Sequence, residues 1–179
     1  MIKRSRKKQL EFNSLGFERP GDCFGGGLLK GNPKTKRPLD SKLPIHLTLR
    51  ARKSVLRLPK VFAKVNVIIR ETAARHGVKV YKFANVGNHI HLALKIPRLD
   101  SWAAFIRELT GRIALACRDV YGEKGFWMFR PHTRIVRGWK KAFQTVKDYI
   151  YLNWCEAEGH ISRKETKTLK DLRAIFSTG

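Results

Sequence analysis

Acidic residues are scarce in this chain. Fourteen Asp and Glu stand against 38 Lys and Arg in 179 residues, a formal charge of +24. That deficit fits poorly with an enzyme of neutral metabolites. It points instead to a polyanionic partner whose phosphates shed counterions on binding. Cysteine is sparse too: Cys23, Cys117 and Cys155 lie far apart with no CxxC spacing. This argues against a disulfide framework or a thiolate zinc site and fits a reducing cytoplasm. No apolar run is long enough to span a bilayer, and no basic amphipathic helix stands apart as a surface anchor, so a membrane partner is not expected. The basic opening, MIKRSRKKQL, lacks the apolar core of a signal peptide. Internal repeats are absent.

Hydrophobic periodicity is also missing from residues 1–42. They carry Lys3, Arg4, Arg6, Lys7 and Lys8, three consecutive glycines and three prolines, and read as a basic flexible arm, either a solvated tail or a segment that condenses on nucleic acid. Residues 43–160 read as the folded domain. In PIHLTLRA, Ile45, Leu47 and Leu49 alternate with His46, Thr48 and Arg50, the mark of a half-buried strand. A helix follows, with Pro59 near its start, Val61, Phe62, Val65, Ile68 and Ile69 at helical spacing, and Gly77 at its end. VKVYKFANVG and HIHLALKIP are two further strands joined tightly at Gly87 and Asn88. The second helix spans SWAAFIRELTGRIALACRDVYG, with Asp100 or Ser101 as N-cap and a stripe of Trp102, Phe105, Ile106, Leu109, Ile113 and Ala116. MFRPHTRIVRG is a fourth strand, and WKKAFQTVKDYIYLNWCEAEG is a third helix with Trp139, Phe143, Val146 and Ile150 on its apolar stripe. Residues 161–179 form a helical tail opened by the capping box of Ser162 and Glu165.

The order β-α-β-β-α-β-α, with right-handed crossovers, predicts an α+β, ferredoxin-like split βαβ fold. It has a four-stranded antiparallel sheet, two helices on one face and an additional C-terminal helix. The other sheet face is expected to be open and to carry His46, Arg50, His89 and His91.

Two short stretches hold the candidate chemistry. In NHIHL, side chains alternate, so His89 and His91 face the same way while Ile90 faces the core. Adjacent imidazoles suit a shared metal ion, and they equally suit a pair of satisfied surface histidines. In DYIYLN, Tyr149 and Asn153 stand at i and i+4, on one helix face. Tyr151 lies about 200° around the helix from Tyr149, so both tyrosines cannot serve one site. Tyr149 is the one that shares a face with a second polar group. Packing with a hydrogen-bonded hydroxyl is the alternative role for either.

Together, NHIHL followed by DYIYLN on a ferredoxin-like order resembles the HUH single-tyrosine transposases, and most of all the REP-associated tyrosine transposase branch, over about residues 44–160. The resemblance implies that His89 and His91 bind a divalent Mg²⁺ or Mn²⁺ ion, that Tyr149 is the nucleophile, and that Asn153 is a third, helix-borne ligand. It also implies metal-dependent cleavage and transfer of single-stranded DNA through a 5′-phosphotyrosine, with hairpin-bearing ends as substrate. The protein would act as a monomer or homodimer in the cytoplasm near the nucleoid. One departure stands out. The branch usually follows that asparagine with proline, whereas this chain has Trp154, Cys155 and Glu156, which leaves Glu156 as an alternative ligand. His46, Arg50, Arg130, Arg134 and Arg137 are candidate phosphate contacts, and Trp127 is a candidate stacking platform for unpaired bases. A different class of reading is a non-catalytic nucleic-acid-binding module, RNA-recognition-like or ribosome-associated. It explains the charge but neither the histidine pair nor the helix tyrosine.

Overall fold

The computed structural model describes residues 21–29, 36–122, 124–138 and 140–161. The basic cluster at residues 3–8, Trp139 and the terminal helix expected from Ser162 lie outside them. Within the described residues the strands are β1 (Cys23–Phe24), β2 (Ile45–Arg50), β3 (Lys79–Asn85), β4 (His89–Lys95) and β5 (His132–Ile135). The helices are α1 (Pro59–Arg75), α2 (Ser101–Ala116), α3 (Arg118–Tyr121) and α4 (Lys141–Glu158).

Alternation in β2 and β4 builds the main core. The two strands pair antiparallel with Ile45 opposite Leu94, Leu47 opposite Leu92 and Leu49 opposite Ile90. Opposed residues share a face, so six aliphatics form one apolar surface. Helices α1 and α2 cover it with Val61, Val65, Ile69, Trp102, Phe105, Leu109 and Ile113, all buried. Pro59 opens α1, where its missing N–H and preset φ cost nothing. At α2 the expected cap takes another form. Asp100 occupies the N-cap position but pairs with Arg98, without a side-chain cap hydrogen bond, and the Ser101 hydroxyl donates to the Arg98 carbonyl. The long second helix also divides at Cys117, whose carbonyl accepts from both Val120 and Tyr121, before Gly122 ends α3 in the left-handed region at φ 72°.

The sheet order is β1-β5-β2-β4-β3, and every pairing is antiparallel. Strands β2 to β5 are the expected ferredoxin-like four. The fifth comes from the segment read as an arm: Cys23 and Phe24 pair with Arg134 and Thr133. Two arginines fasten it. Arg137 makes a forked ion pair to Asp22 at 2.9 Å, and Arg37 donates to Thr133 Oγ1 at 2.6 Å and to the Phe24 carbonyl at 3.3 Å. Two residues are too few to show a period, so this strand leaves no trace in the pattern.

The β3–β4 connection positions the histidine strand. Asn85 is buried, its Nδ2 donating to the Leu56 carbonyl at 2.8 Å while its Oδ1 accepts from the Gly87 amide at 3.2 Å. Gly87 has φ 97°, and a Cβ there would meet Ser54 Oγ at 2.7 Å. Both features call for glycine.

The second sheet face is not open. Helix α4 lies across it and buries Ala142, Phe143, Val146 and Ile150 against Ala84 of β3 and Ala93 of β4. The two alanines are what let the helix approach. Ala93→Leu is expected to overpack this seam, lowering stability by about 1–3 kcal/mol. A urea titration would read the loss as a lower midpoint, and the same variant should separate Tyr149 from the histidines and reduce any activity that needs both.

Candidate active site

The face under α4 collects polar side chains by strand alternation. β2 contributes His46, Thr48 and Arg50, and β4 contributes His89 and His91. β5 contributes His132 and Arg134, since Arg134 stands opposite His46 and His132 opposite Thr48. Residues His46 and His91 are only 5 % and 4 % exposed, while His89 is half-buried and Arg50 exposed at the end of its strand.

The imidazoles are held from behind. His89 Nδ1 lies 2.6 Å from Asn88 Oδ1, an arrangement that puts the ring proton on Nδ1 and the lone pair on Nε2. His91 Nδ1 lies 3.2 Å from both His46 Nε2 and Thr48 Oγ1. The Nε2 atoms of His89 and His91 are both buried, and the two rings meet edge to face with centroids 4.6 Å apart. A ring nitrogen anchored on one side and a lone pair presented on the other is how histidine serves as a metal ligand.

Helix α4 brings Tyr149 to this pair. Its ring stands edge-on to His91 at 5.4 Å and 80°, and to His46 at 6.0 Å and 79°. Tyr151 goes elsewhere: it stacks on Trp154 at 5.6 Å and carries Lys82 Nζ over its ring at 4.0 Å. Burial and its contact with Cys155 raise the Tyr151 pKa. Asn153 is buried, and its Nδ2 donates to the Tyr149 carbonyl at 2.7 Å. This ties the amide one turn from the tyrosine with Oδ1 as its remaining acceptor. Glu156 is half-buried one turn further on. Among the described residues, no three His, Cys, Asp or Glu side chains gather as a metal site. A divalent ion at His89 and His91 would therefore complete its shell with oxygen from an amide, water or substrate. Two imidazoles plus such oxygens fit Mn²⁺ or Mg²⁺ chemistry.

The remaining candidates are spread out. Arg50 and Arg130 are exposed. Arg134 is buried beside His46, and Arg137 is engaged by Asp22, which raises its pKa through the hydrogen-bonded ion pair. Trp127 faces the helical layer, its indole N–H donating to the Thr110 carbonyl of α2 at 3.1 Å and its ring packed on Phe126. The pattern of β2 put His46 and Thr48 on the histidine face. What alternation did not reveal was the register that sets Thr48 directly opposite His91, and so the approach of both residues to His91 Nδ1.

Burial, reinforced by His132, Arg134 and His89 nearby, lowers the His46 pKa from 6.5 to about 3. His132 is lowered as well, by burial and by Arg37 and Arg134. The unfolded chain therefore takes up these protons first as pH falls. The stability that the neutral rings contribute is complete above pH 6.5 and drains between there and about pH 3 for His46. Urea midpoints of the metal-free protein should fall on acidification below pH 6.5, with His46 contributing at most about 1.4 kcal/mol per pH unit. His46→Gln should flatten the slope.

A protein-family model described as "Transposase IS200 like" matches residues 40–152. No curated protein matches the chain significantly. Among solved structures, a REP-associated tyrosine transposase bound to a REP hairpin is similar, at TM-score 0.58 and 19 % identity over 78 % of this chain and 79 % of that one. A candidate transposase from Deinococcus radiodurans aligns at TM-score 0.44 and 18 % identity, over 68 % of this chain and 98 % of its own. No described helix is long and apolar enough to cross a membrane.

Proposed function

We propose, from the premise that the chain belongs to the IS200-like transposase family, that it cleaves and rejoins single-stranded DNA through a 5′-phosphotyrosine at Tyr149. The observation that carries this reading is the edge-on approach of the Tyr149 ring to His91 at 5.4 Å, within one chain. His89 and His91 are the proposed metal ligands, with the Asn153 amide oxygen as the third and Glu156 as its alternative. A Mg²⁺ or Mn²⁺ ion bound there supplies Lewis-acid stabilisation of charge on the phosphoryl oxygens.

The chain's own groups account for the rest. The Tyr149 hydroxyl gives up its proton to solvent and attacks the phosphorus. The bond to the 3′ oxygen breaks, and that oxygen leaves as a hydroxyl after taking up a proton. One phosphodiester is exchanged for another, so a second 3′ hydroxyl can reverse the step and join a new end, with no nucleotide cofactor. Arg50 and Arg130, exposed cations, are the proposed phosphate contacts. His46 and Arg134, being buried, act on the site from within. Because tyrosine and histidines come from the same chain, a monomer suffices. The hairpin held by the similar REP-associated transposase supports a hairpin as substrate, and a single-stranded flank is the segment proposed to be cut.

The test is a 3′-labelled hairpin oligonucleotide with such a flank, incubated with the full chain and Mn²⁺ and run on a denaturing gel. The expected result is a labelled species shifted by the mass of the protein. Tight hairpin binding with no adduct at any flank length would replace this reading with that of a non-catalytic binding module.

A further inference from the structure

The geometry points to His46 and Thr48 as positioning residues that hold His91 in the tautomer presenting its Nε2 lone pair. The inference rests on the reading of His91 as a metal ligand. Both residues come from β2 at alternate positions, and both reach a single atom, His91 Nδ1, at 3.2 Å. Thr48 arrives there because it is the register partner of His91. His46 arrives alongside, its ring centroid 5.3 Å from that of His91 and the two planes inclined by only 23°.

The direction of approach separates this role from that of a third ligand. His46 Nε2 is aimed at the nitrogen of His91 on the strand side, so His46 stands behind His91. A neutral imidazole has one N–H and one lone pair. When Nε2 of His91 donates its lone pair to an ion, Nδ1 must carry the proton, and both β2 atoms then act as acceptors. A hydroxyl oxygen accepts readily, and a neutral His46 accepts at Nε2. The same ring also meets Tyr149 edge-on. One buried side chain thus buttresses both the ligand and the phenol, and the spacing between them depends on it.

Asn88 has the matching part for His89. There the backing group is the residue just before the ligand; at His91 it must come from the neighbouring strand. Outer partners of ligating histidines change metal affinity by about 10–100-fold.

The experiment uses the full chain and Mn²⁺ alone. His46→Phe keeps a ring against His91 and Tyr149 but removes the acceptor, and Thr48→Val keeps the shape but removes the hydroxyl. Calorimetric titration should show Mn²⁺ affinity reduced about 10-fold in each and more in the double variant, with His46→Asn recovering part of the loss. In parallel, ¹⁵N NMR of the metal-free wild-type protein should report His91 protonated at Nδ1. Wild-type affinity in a folded double variant overturns the inference. So does a wild-type His91 protonated at Nε2, and that measurement decides the matter if the variants do not fold. A wild-type protein that takes up no Mn²⁺ overturns the metal-ligand reading itself.

Discussion

Tyr149→Phe abolishes the covalent protein–DNA adduct, with a loss of about 10³-fold or more, while hairpin affinity stays within about twofold. The substitution removes one oxygen and keeps the ring that rests against His46 and His91. Folding should change by no more than about 1 kcal/mol, the net worth of one hydroxyl hydrogen bond. That separation makes the result decisive, because cleavage is lost while binding and stability remain. Tyr151→Phe is the matched control. Its ring stacks on Trp154 and is met by Lys82 of β3 rather than by the histidines, so adduct formation should continue. Denaturing gels with 3′-labelled DNA, alongside fluorescence anisotropy for binding, read both effects. If the adduct survived in the Tyr149 variant and vanished in the Tyr151 variant, the assignment of nucleophile would reverse.

The second large effect belongs to the imidazole pair. His89→Ala is expected to reduce adduct formation about 10²–10⁴-fold at saturating Mn²⁺, and EDTA should do the same to the wild-type protein. His89 is the better of the two histidines to remove. It is half-buried, so its loss perturbs packing little, whereas His91 is 4 % exposed between His46 and Tyr149 and its removal would also open a cavity. The anionic diester repels an incoming oxygen nucleophile, and charge stabilisation at the site offsets that repulsion. Hairpin affinity should persist, since the proposed phosphate contacts, the exposed cations Arg50 and Arg130, are untouched. Undiminished cleavage by a folded His89→Ala protein would remove the metal from the mechanism and leave Tyr149 to act without it.

The covering of the histidine face was the feature least visible in the pattern. The stripe of Phe143, Val146 and Ile150 announces that α4 must bury one side, but a stripe does not say against which surface. Polar residues at His46, His89 and His91 suggested an uncovered sheet. What admits the helix is the pair of small residues Ala84 and Ala93, which the alternation registers only as weakly apolar. Trp127 shows the same limit of local spacing. Its basic neighbours suggested a nucleic-acid surface, yet its indole N–H finds the carbonyl of Thr110 on α2, a partner 17 residues away that local spacing does not reveal.

The sequence by itself determined which side chains share a face: the aliphatics of β2 and β4 on one side, the histidines on the other, and Tyr149 with Asn153 on one flank of their helix. Those are consequences of two short backbone periods, which each segment carries within itself. Only the tertiary structure decided which faces meet. The β2–β4 register set Thr48 and His46 behind His91, the alanine seam drew α4 over the sheet, and Arg137 and Arg37 drew residues 22–24 in as an edge strand. Each of these depends on shape, on register and on partners distant in the chain.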